Sequence, residues 1–214
     1  MMSTLMRAPR ECASWFWDLD ESATPGLEAA LATAARMSAV LLEHHLLEPS
    51  ALEWGWFIPQ LGGMAATTRI PLQGPLDDAG LPQRVRDMRP AAFPDAELGD
   101  ILISGSGSWL DTEGSRHSEH RLVELSVSPE PLGLSAEVAV FHDIWSPFDF
   151  KGFPHPEVHE RNAPRLAAAL QSLDVLLGVA AEPGEPTYFG SADGYGVKVP
   201  DVIDGRGPDL TDKL

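Results

Sequence analysis

The chain has 214 residues, of which 43% are hydrophobic and 22% are charged, a composition typical of a single globular domain. Its 32 Asp and Glu residues against 15 Lys and Arg give a formal charge of −17, which disfavours binding to nucleic-acid phosphates and to anionic membranes. The lone cysteine, Cys12, excludes an intramolecular disulfide, and no stretch approaches the roughly 18 apolar residues of a transmembrane helix.

The first hundred residues predict one helix followed by irregular chain. Residues 26–47 place leucines and alanines at helical spacing, and Pro49 ends that pattern. Prolines then recur through residues 71–100 with little periodicity, as in a long loop. Residues 1–99 are therefore expected to be the helical and irregular part of a single domain that spans residues 1–214.

The middle of the chain predicts an antiparallel three-strand meander. Apolar and polar side chains alternate in three segments, at residues 100–110, 121–128 and 135–145. The links between them, residues 111–120 and 129–134, are short and polar or rich in Pro and Gly, which favours antiparallel neighbours.

A second helix is predicted at about residues 162–178, with Asn162 as its N-cap and Pro164 in its first turn. Two short strands follow, around residues 187–189 and 195–199, before a polar tail at 201–214 that we expect to be loosely held. The fold class is then α+β, with a three-strand meander plus two short C-terminal strands and helices packed on one face of the sheet.

The glycine-rich segment Ser104–Ser108 (SGSGS) is similar to a phosphate-binding loop, but it lacks the GxxxxGK[ST] pattern and has no nearby lysine. Alternating small residues inside a strand are also found at bulges and where another backbone approaches closely. We therefore interpret the segment as structural.

A histidine-rich pair of loops allows a metal site as an alternative function. Zinc and similar ions bind converging imidazole nitrogens and carboxylate oxygens. The HExxH pattern is absent, so the candidates rest on proximity in sequence alone: His117, His120, His155 and His159.

An aromatic loop flanked by carboxylates is the main candidate for binding a partner. Aromatic anchors are common at the centres of protein interfaces, and carboxylates around them suit a basic surface. The predicted contact residues are Asp143, Trp145, Phe148, Asp149, Phe150 and Phe153. No local pattern points to a nucleophile or an acid–base pair, so no catalytic residue and no cofactor are assigned.

Three segments carry a resemblance to a known family: residues 143–149 (DIWSPFD), 162–170 (NAPRLAAAL), and 185–196, which begins EPTYF and ends GYG. They are similar to small actinobacterial proteins, some of which resemble immunity proteins of polymorphic toxin systems. The resemblance covers about residues 100–200 and specifies no catalytic group. It implies a small cytoplasmic α+β protein that binds and blocks a toxin domain.

The sequence therefore favours a cytoplasmic, non-catalytic binding protein, an immunity-like inhibitor that occludes a basic partner. Neither nucleic acid nor membrane is expected among its partners. One alternative is a metal-dependent enzyme or metal-binding protein that uses the four histidines, and another is a protein that binds a small molecule or peptide in an aromatic cleft. Charge favours the first, since an acidic surface accelerates encounter with a basic partner.

Overall fold

The computed structural model describes residues 5–20, 25–59, 62–129, 133–199 and 202–214. In these ranges one large sheet is built from β1 (Ala13–Asp18), β2 (Glu48–Ile58), β3 (Gly62–Pro71), β4 (Glu97–Leu110), β5 (Arg116–His120), β6 (Val123–Ser128), β7 (Ser135–Val140) and β8 (Glu182–Pro183). A two-stranded sheet comprises β9 (Ser191–Asp193) and β10 (Gly196–Lys198). The α-helices are α1 (Leu27–Glu43), α2 (Leu81–Asp87) and α3 (Pro156–Leu177).

The large sheet is antiparallel, in the order β3-β2-β4-β6-β7-β1-β8, and β5 pairs with the far end of β4. The α+β class is thus confirmed. The predicted meander corresponds to β4, β6 and β7, but the supposed link 111–120 contains β5, so the predicted connection was wrong in that detail.

The N-terminal hundred residues contribute to both ends of this sheet. β1 pairs with β7 in the register Trp15↔Val138, and β2 pairs with β4 in the register Leu52↔Ile103. The prediction that residues 1–99 are only helical and irregular was therefore wrong. β1 was missed because its partner β7 lies far away in sequence. β2 and β3 pair with each other across a short connection, but Gly55, Pro59 and the pair Gly62 and Gly63 interrupt the strand pattern there.

Side chains alternate between two unlike faces of the sheet. One face is buried and apolar, with large residues that include Trp15, Trp17, Leu52, Trp54, Ile101, Ile103, Leu125 and Val138. Helix α1 contacts strand β6, helix α3 contacts strand β4, and the two helices contact each other. The buried residues of both helices belong to the same core as this apolar face. Many of the intervening strand positions are half-buried or exposed, as at Phe16, Glu53 and Glu137, although Ser14 and Glu124 are buried. We call this second face the open face.

Helix α3 begins earlier than predicted. Pro156 occupies its first turn, His155 precedes it, and Asn162 lies two turns inside rather than at the N-cap. Pro164 is also internal. The helix ends as expected at Gly178, whose φ of 75° suits a glycine C-cap. None of the described helices is long and apolar enough to cross a membrane.

Asn162 is fully buried and acts as a clamp between α3 and β4. Its Oδ1 accepts a hydrogen bond from the Leu110 backbone N–H (2.9 Å), and its Nδ2 donates to the Leu110 carbonyl oxygen (2.7 Å). Nδ2 also reaches the Val158 carbonyl oxygen at 2.8 Å. The side chain therefore pairs with the last residue of β4 much as a neighbouring strand would.

We expect Asn162→Ala to lower the free energy of unfolding by about 2 kcal/mol, because both backbone groups of Leu110 lose a partner away from water. The control is Ser172→Ala in the same helix, which removes only the hydrogen bond from Ser172 Oγ to the Ala168 carbonyl oxygen. That change should stay within about 0.5 kcal/mol. Urea unfolding of both variants measures the difference, and equal effects would contradict the clamp.

The C-terminal hairpin is tied to this framework by Asp174 of α3. Its Oδ2 accepts a hydrogen bond from Tyr195 OH, at 2.6 Å, and its Oδ1 accepts one from Trp17 Nε1, at 2.8 Å. The second predicted C-terminal strand corresponds to β10, but the prediction of a strand at residues 187–189 was wrong. Thr187 and Gly190 close a turn there, and β9 follows it at Ser191–Asp193. Gly194, with φ +56°, begins the turn between β9 and β10.

Two glycines of the SGSGS segment allow the backbone of residues 46–48 to approach β4 closely. A Cβ on Gly105 would lie 2.0 Å from the Glu48 carbonyl oxygen, and one on Gly107 would lie 2.2 Å from the Leu46 carbonyl oxygen. Both distances are well inside van der Waals contact. The structural interpretation of this segment is therefore confirmed.

Candidate functional site

Much of the predicted partner-binding loop is interior. Asp143, Trp145 and Phe150 are buried, with 2%, 0% and 3% of their surface exposed. Phe148 and Asp149 are half-buried, and only Phe153 is well exposed, at 52%. The buried residues contribute to folding and do not offer a contact surface in this conformation.

The C-terminal tail lies against the same loop. Leu210 N–H donates to the Phe150 carbonyl oxygen (2.8 Å), and Gly207 N–H donates to the Gly152 carbonyl oxygen (3.2 Å). The Arg206 guanidinium carbon lies 4.2 Å from the centre of the Phe153 ring, a cation–π contact. The tail was expected to be loose, but its residues 206–210 are bonded to the loop, while Asp201 lies outside the described residues.

Asp143 and His142 form a buried polar pair of neighbours. Asp143 Oδ1 accepts a hydrogen bond from Met6 N–H (3.2 Å), while Oδ2 has no partner in the described parts of the chain. Burial raises the pKa of Asp143 to about 7, with a smaller contribution from the charge of Asp149. Burial also lowers the pKa of His142 to about 4, helped by Arg7.

Two of the four candidate metal-binding histidines, His117 and His155, are engaged in local contacts. His117 Nε2 lies 2.7 Å from Asp111 Oδ2, and its ring stacks on Trp109. His155 Nε2 lies 2.8 Å from the Ser146 carbonyl oxygen. His120 is exposed, and His159 is half-buried, which lowers its pKa.

These histidines do not form a metal site with their neighbours. Within the ranges that the structure describes, no group of three or more His, Cys, Asp or Glu side chains converges closely enough to hold a metal ion. The geometry therefore gives no support to the metal-dependent alternative.

The open face carries a more accessible feature, a depression of about 400 Å³ between β1, β4, β6 and β7. Carboxylates of Asp18, Asp20 and Asp100 surround it, together with the Phe16 ring. Glu137 adjoins it, since Phe16 and Glu137 are paired across β1 and β7. We call Phe16, Asp18, Asp20, Asp100 and Glu137 the acidic face.

The negative charge of the acidic face is not balanced by basic side chains in the parts of the chain that the structure describes. Among the described residues, no Lys or Arg lines the depression, and none forms an ion pair with the four carboxylates of the acidic face. Phe16 is 38% exposed at its centre. An apolar ring among unpaired carboxylates is suited to an apolar and cationic surface.

The opposite end of the open face differs because its charges are paired internally. Arg7 and Arg121 both contact Glu124 Oε1, at 2.6 Å and 2.8 Å. Arg69 Nε lies 3.2 Å from Glu53 Oε1. The negative potential of the open face is therefore concentrated at the acidic face.

The sequence of residues 13–18 (ASWFWD) contains a pattern that could have indicated the acidic face. If it is a strand, Trp15 and Trp17 point to one face, and Phe16 and Asp18 to the other. Asp100 and Glu137 were within predicted strands, but nothing in sequence indicated that β1 joins them. The acidic face was missed because β1 was missed.

Comparisons of the chain with protein-family models, curated proteins and solved structures give no match. The similarity of its second half to polymorphic-toxin immunity proteins therefore stays a prediction.

Proposed function

We propose that this chain is a non-catalytic binding protein that docks a basic protein partner on its acidic face and occludes it, as an immunity protein would occlude a toxin domain. The observation that carries the proposal is the set of four carboxylates, without ion-pair partners among the described residues, around the exposed Phe16 on a sheet face that none of the described helices covers.

The acidic face has the rigidity that a docking surface needs. Phe16 and Asp18 are held in β1 by the pairings Phe16↔Glu137 and Asp18↔Ser135. Because the backbone is already fixed in a sheet, little conformational entropy is lost on binding. The total charge of −17 adds long-range attraction for a basic partner.

This proposal moves the contact surface from the 143–153 loop to β1 and its neighbours. On the loop, only Phe153 keeps a large exposed area, and Arg206 already occupies its ring. On the acidic face, Phe16 has no cation–π partner among the described residues. Phe16 is thus the better anchor for an incoming cationic side chain.

The test measures binding of basic nuclease-toxin domains from polymorphic toxin systems to the immobilised chain by biolayer interferometry. For the domain that binds the wild type, the triple variant Asp18→Asn, Asp100→Asn, Glu137→Gln should lower the association rate constant about 10-fold at low salt. Phe16→Ala should instead accelerate dissociation, since it removes an anchor and leaves the charge unchanged.

The control triple variant is Glu43→Gln, Glu113→Gln, Glu160→Gln, which changes the net charge equally at exposed positions on α1, the β4–β5 turn and α3. Its association rate constant should fall less than 2-fold. Equal slowing in both triple variants would mean that overall charge, and not the acidic face, governs encounter. Failure of every basic domain to bind the wild type would overturn the toxin-blocking proposal.

A further inference from the structure

A second concavity lies on the helix side of the molecule, away from the acidic face. It is a pocket of about 530 Å³ between α1 and the segment after β3. Its walls are mainly apolar, with Ala35, Ala39 and Leu42 on α1 facing Leu72 and Leu76. Sites for small molecules in proteins commonly have this size and an apolar lining with a few polar groups.

The buried polar residue of this lining is Ser38. Its side chain is 96% buried, as only 4% of the residue is exposed, and its hydroxyl has no hydrogen-bond partner in the described chain. A serine inside a helix commonly donates to the carbonyl four residues earlier, as Ser172 does to Ala168 at 2.9 Å. A buried hydroxyl without a partner is costly, so its position beside a pocket points to a ligand that completes it.

The charges at the rim restrict the kind of ligand. Glu48 and Asp77 line the pocket, are exposed, and form no ion pair with any described residue. Arg36 also lines it, but its NH2 donates to the Leu176 carbonyl oxygen at the end of α3 (2.8 Å). That hydrogen bond leaves Arg36 charged, so the lining carries two carboxylates and one guanidinium, a net charge of −1 that still favours a cationic molecule over an anionic one.

We propose that this pocket binds a small apolar molecule, neutral or cationic, whose single hydrogen-bonding group reaches the Ser38 hydroxyl. The apolar part fills the space between α1 and Leu72–Leu76, and rotation about χ1 of Ser38 turns the hydroxyl toward the ligand. An amine on an alkyl or aromatic skeleton satisfies all three features: apolar body, hydrogen-bonding group and positive charge toward Glu48 and Asp77.

The experiment uses N-phenyl-1-naphthylamine, a neutral fluorophore with one N–H donor that brightens in apolar surroundings. Saturable one-to-one binding with a micromolar Kd is expected for the wild-type chain. Ala39→Phe, which fills the pocket, should weaken binding at least 10-fold. Ala32→Phe is the matched control, because Ala32 lies two turns earlier on the same helix, is exposed and does not line the pocket. It should leave Kd unchanged.

Two further measurements test the polar part of the proposal. Ser38→Ala should weaken probe binding about 3-fold without lowering the melting temperature, since it removes an unpartnered hydroxyl. Octylamine should displace the probe at least 10-fold more effectively than octanoate, which has the same alkyl chain and the opposite charge.

The proposal is overturned if the wild type shows no saturable binding, or if Ala39→Phe and Ala32→Phe change Kd equally. Displacement by octanoate as effective as by octylamine would overturn the charge selectivity. Variants of the acidic face should bind the probe like the wild type, so failure here and failure of the partner-binding proposal are separate outcomes.

Discussion

Replacing Gly105 by alanine is expected to lower the free energy of unfolding by at least about 3 kcal/mol, near the upper end of what overpacking costs. The added Cβ would lie 2.0 Å from the Glu48 carbonyl oxygen, which belongs to rigid backbone and cannot rotate away. To relieve the clash, β2 and β4 must separate where Pro49 and Gly105 are paired. Urea unfolding, followed by the fluorescence of the buried tryptophans, gives the change directly.

The matched control is Gly55→Ala, because Gly55 is also inside a strand and a Cβ there would meet no atom within 4 Å. Neither glycine has a φ in the left-handed region, so backbone strain does not separate the two variants. Gly55→Ala should change stability by less than about 1 kcal/mol. If Gly105→Ala lowered the free energy of unfolding as little as Gly55→Ala, residues 46–48 would not approach β4 as closely as described.

A second large effect is expected in the pH dependence of the variants at Asp143 and His142. The pKa of Asp143 is raised on folding from 3.8 to about 7. Its contribution to stability is therefore present below pH 3.8 and is lost as the pH rises through 7. The pKa of His142 is lowered on folding from 6.5 to about 4, so its contribution is present above pH 6.5 and is lost as the pH falls through 4.

The two groups oppose each other between pH 4 and 6.5. In that window the folded chain holds a proton on Asp143 and none on His142, whereas the unfolded chain holds one on the histidine and none on the acid. Both states then bind the same number of protons at this pair. The pair should contribute almost no pH dependence to wild-type stability across the window.

Single substitutions remove this balance in opposite directions. Relative to wild type, Asp143→Asn should become more stable by about 3 kcal/mol as the pH rises from 4 to 6.5, since only the histidine then titrates. His142→Gln should become less stable by about 3 kcal/mol between pH 4 and 6.5, again relative to wild type, since it lacks only the contribution of the histidine. Urea unfolding across this range measures both slopes. Parallel curves for wild type and both variants would contradict the burial of this pair.

The sequence indicated part of the local structure. Alternation over residues 121–128 and 135–145 predicted the strands observed as β6 and β7, and the leucine and alanine spacing of residues 26–47 predicted the helix observed as α1. Asn162 shows why boundaries fail: it suits an N-cap by residue type, yet Pro156 can start a helix equally well. The choice depends on the contact of Asn162 with Leu110, which is not local.

The candidate surfaces were harder to predict for the same reason. The aromatic residues of loop 143–153 are suited to an interface by composition, but Trp145 and Phe150 are buried, and the tail is hydrogen-bonded to the loop backbone at Phe150. Phe16 and Asp18 become part of the acidic face only because β1 pairs with β7. The pocket at Ser38 depends on how the chain after β3 returns to α1, which no periodicity reveals.

The pairing of β1 with β7 also sets the order of events during synthesis. Val138 follows its partner Trp15 by 123 residues, so β1 cannot take its place in the sheet until β7 has left the ribosome. At about 5–20 residues per second, this leaves Trp15, Phe16 and Trp17 without their strand partner for roughly 6–25 s. The nascent chain therefore displays three adjacent aromatic side chains for seconds, an apolar segment of the kind that chaperones recognise.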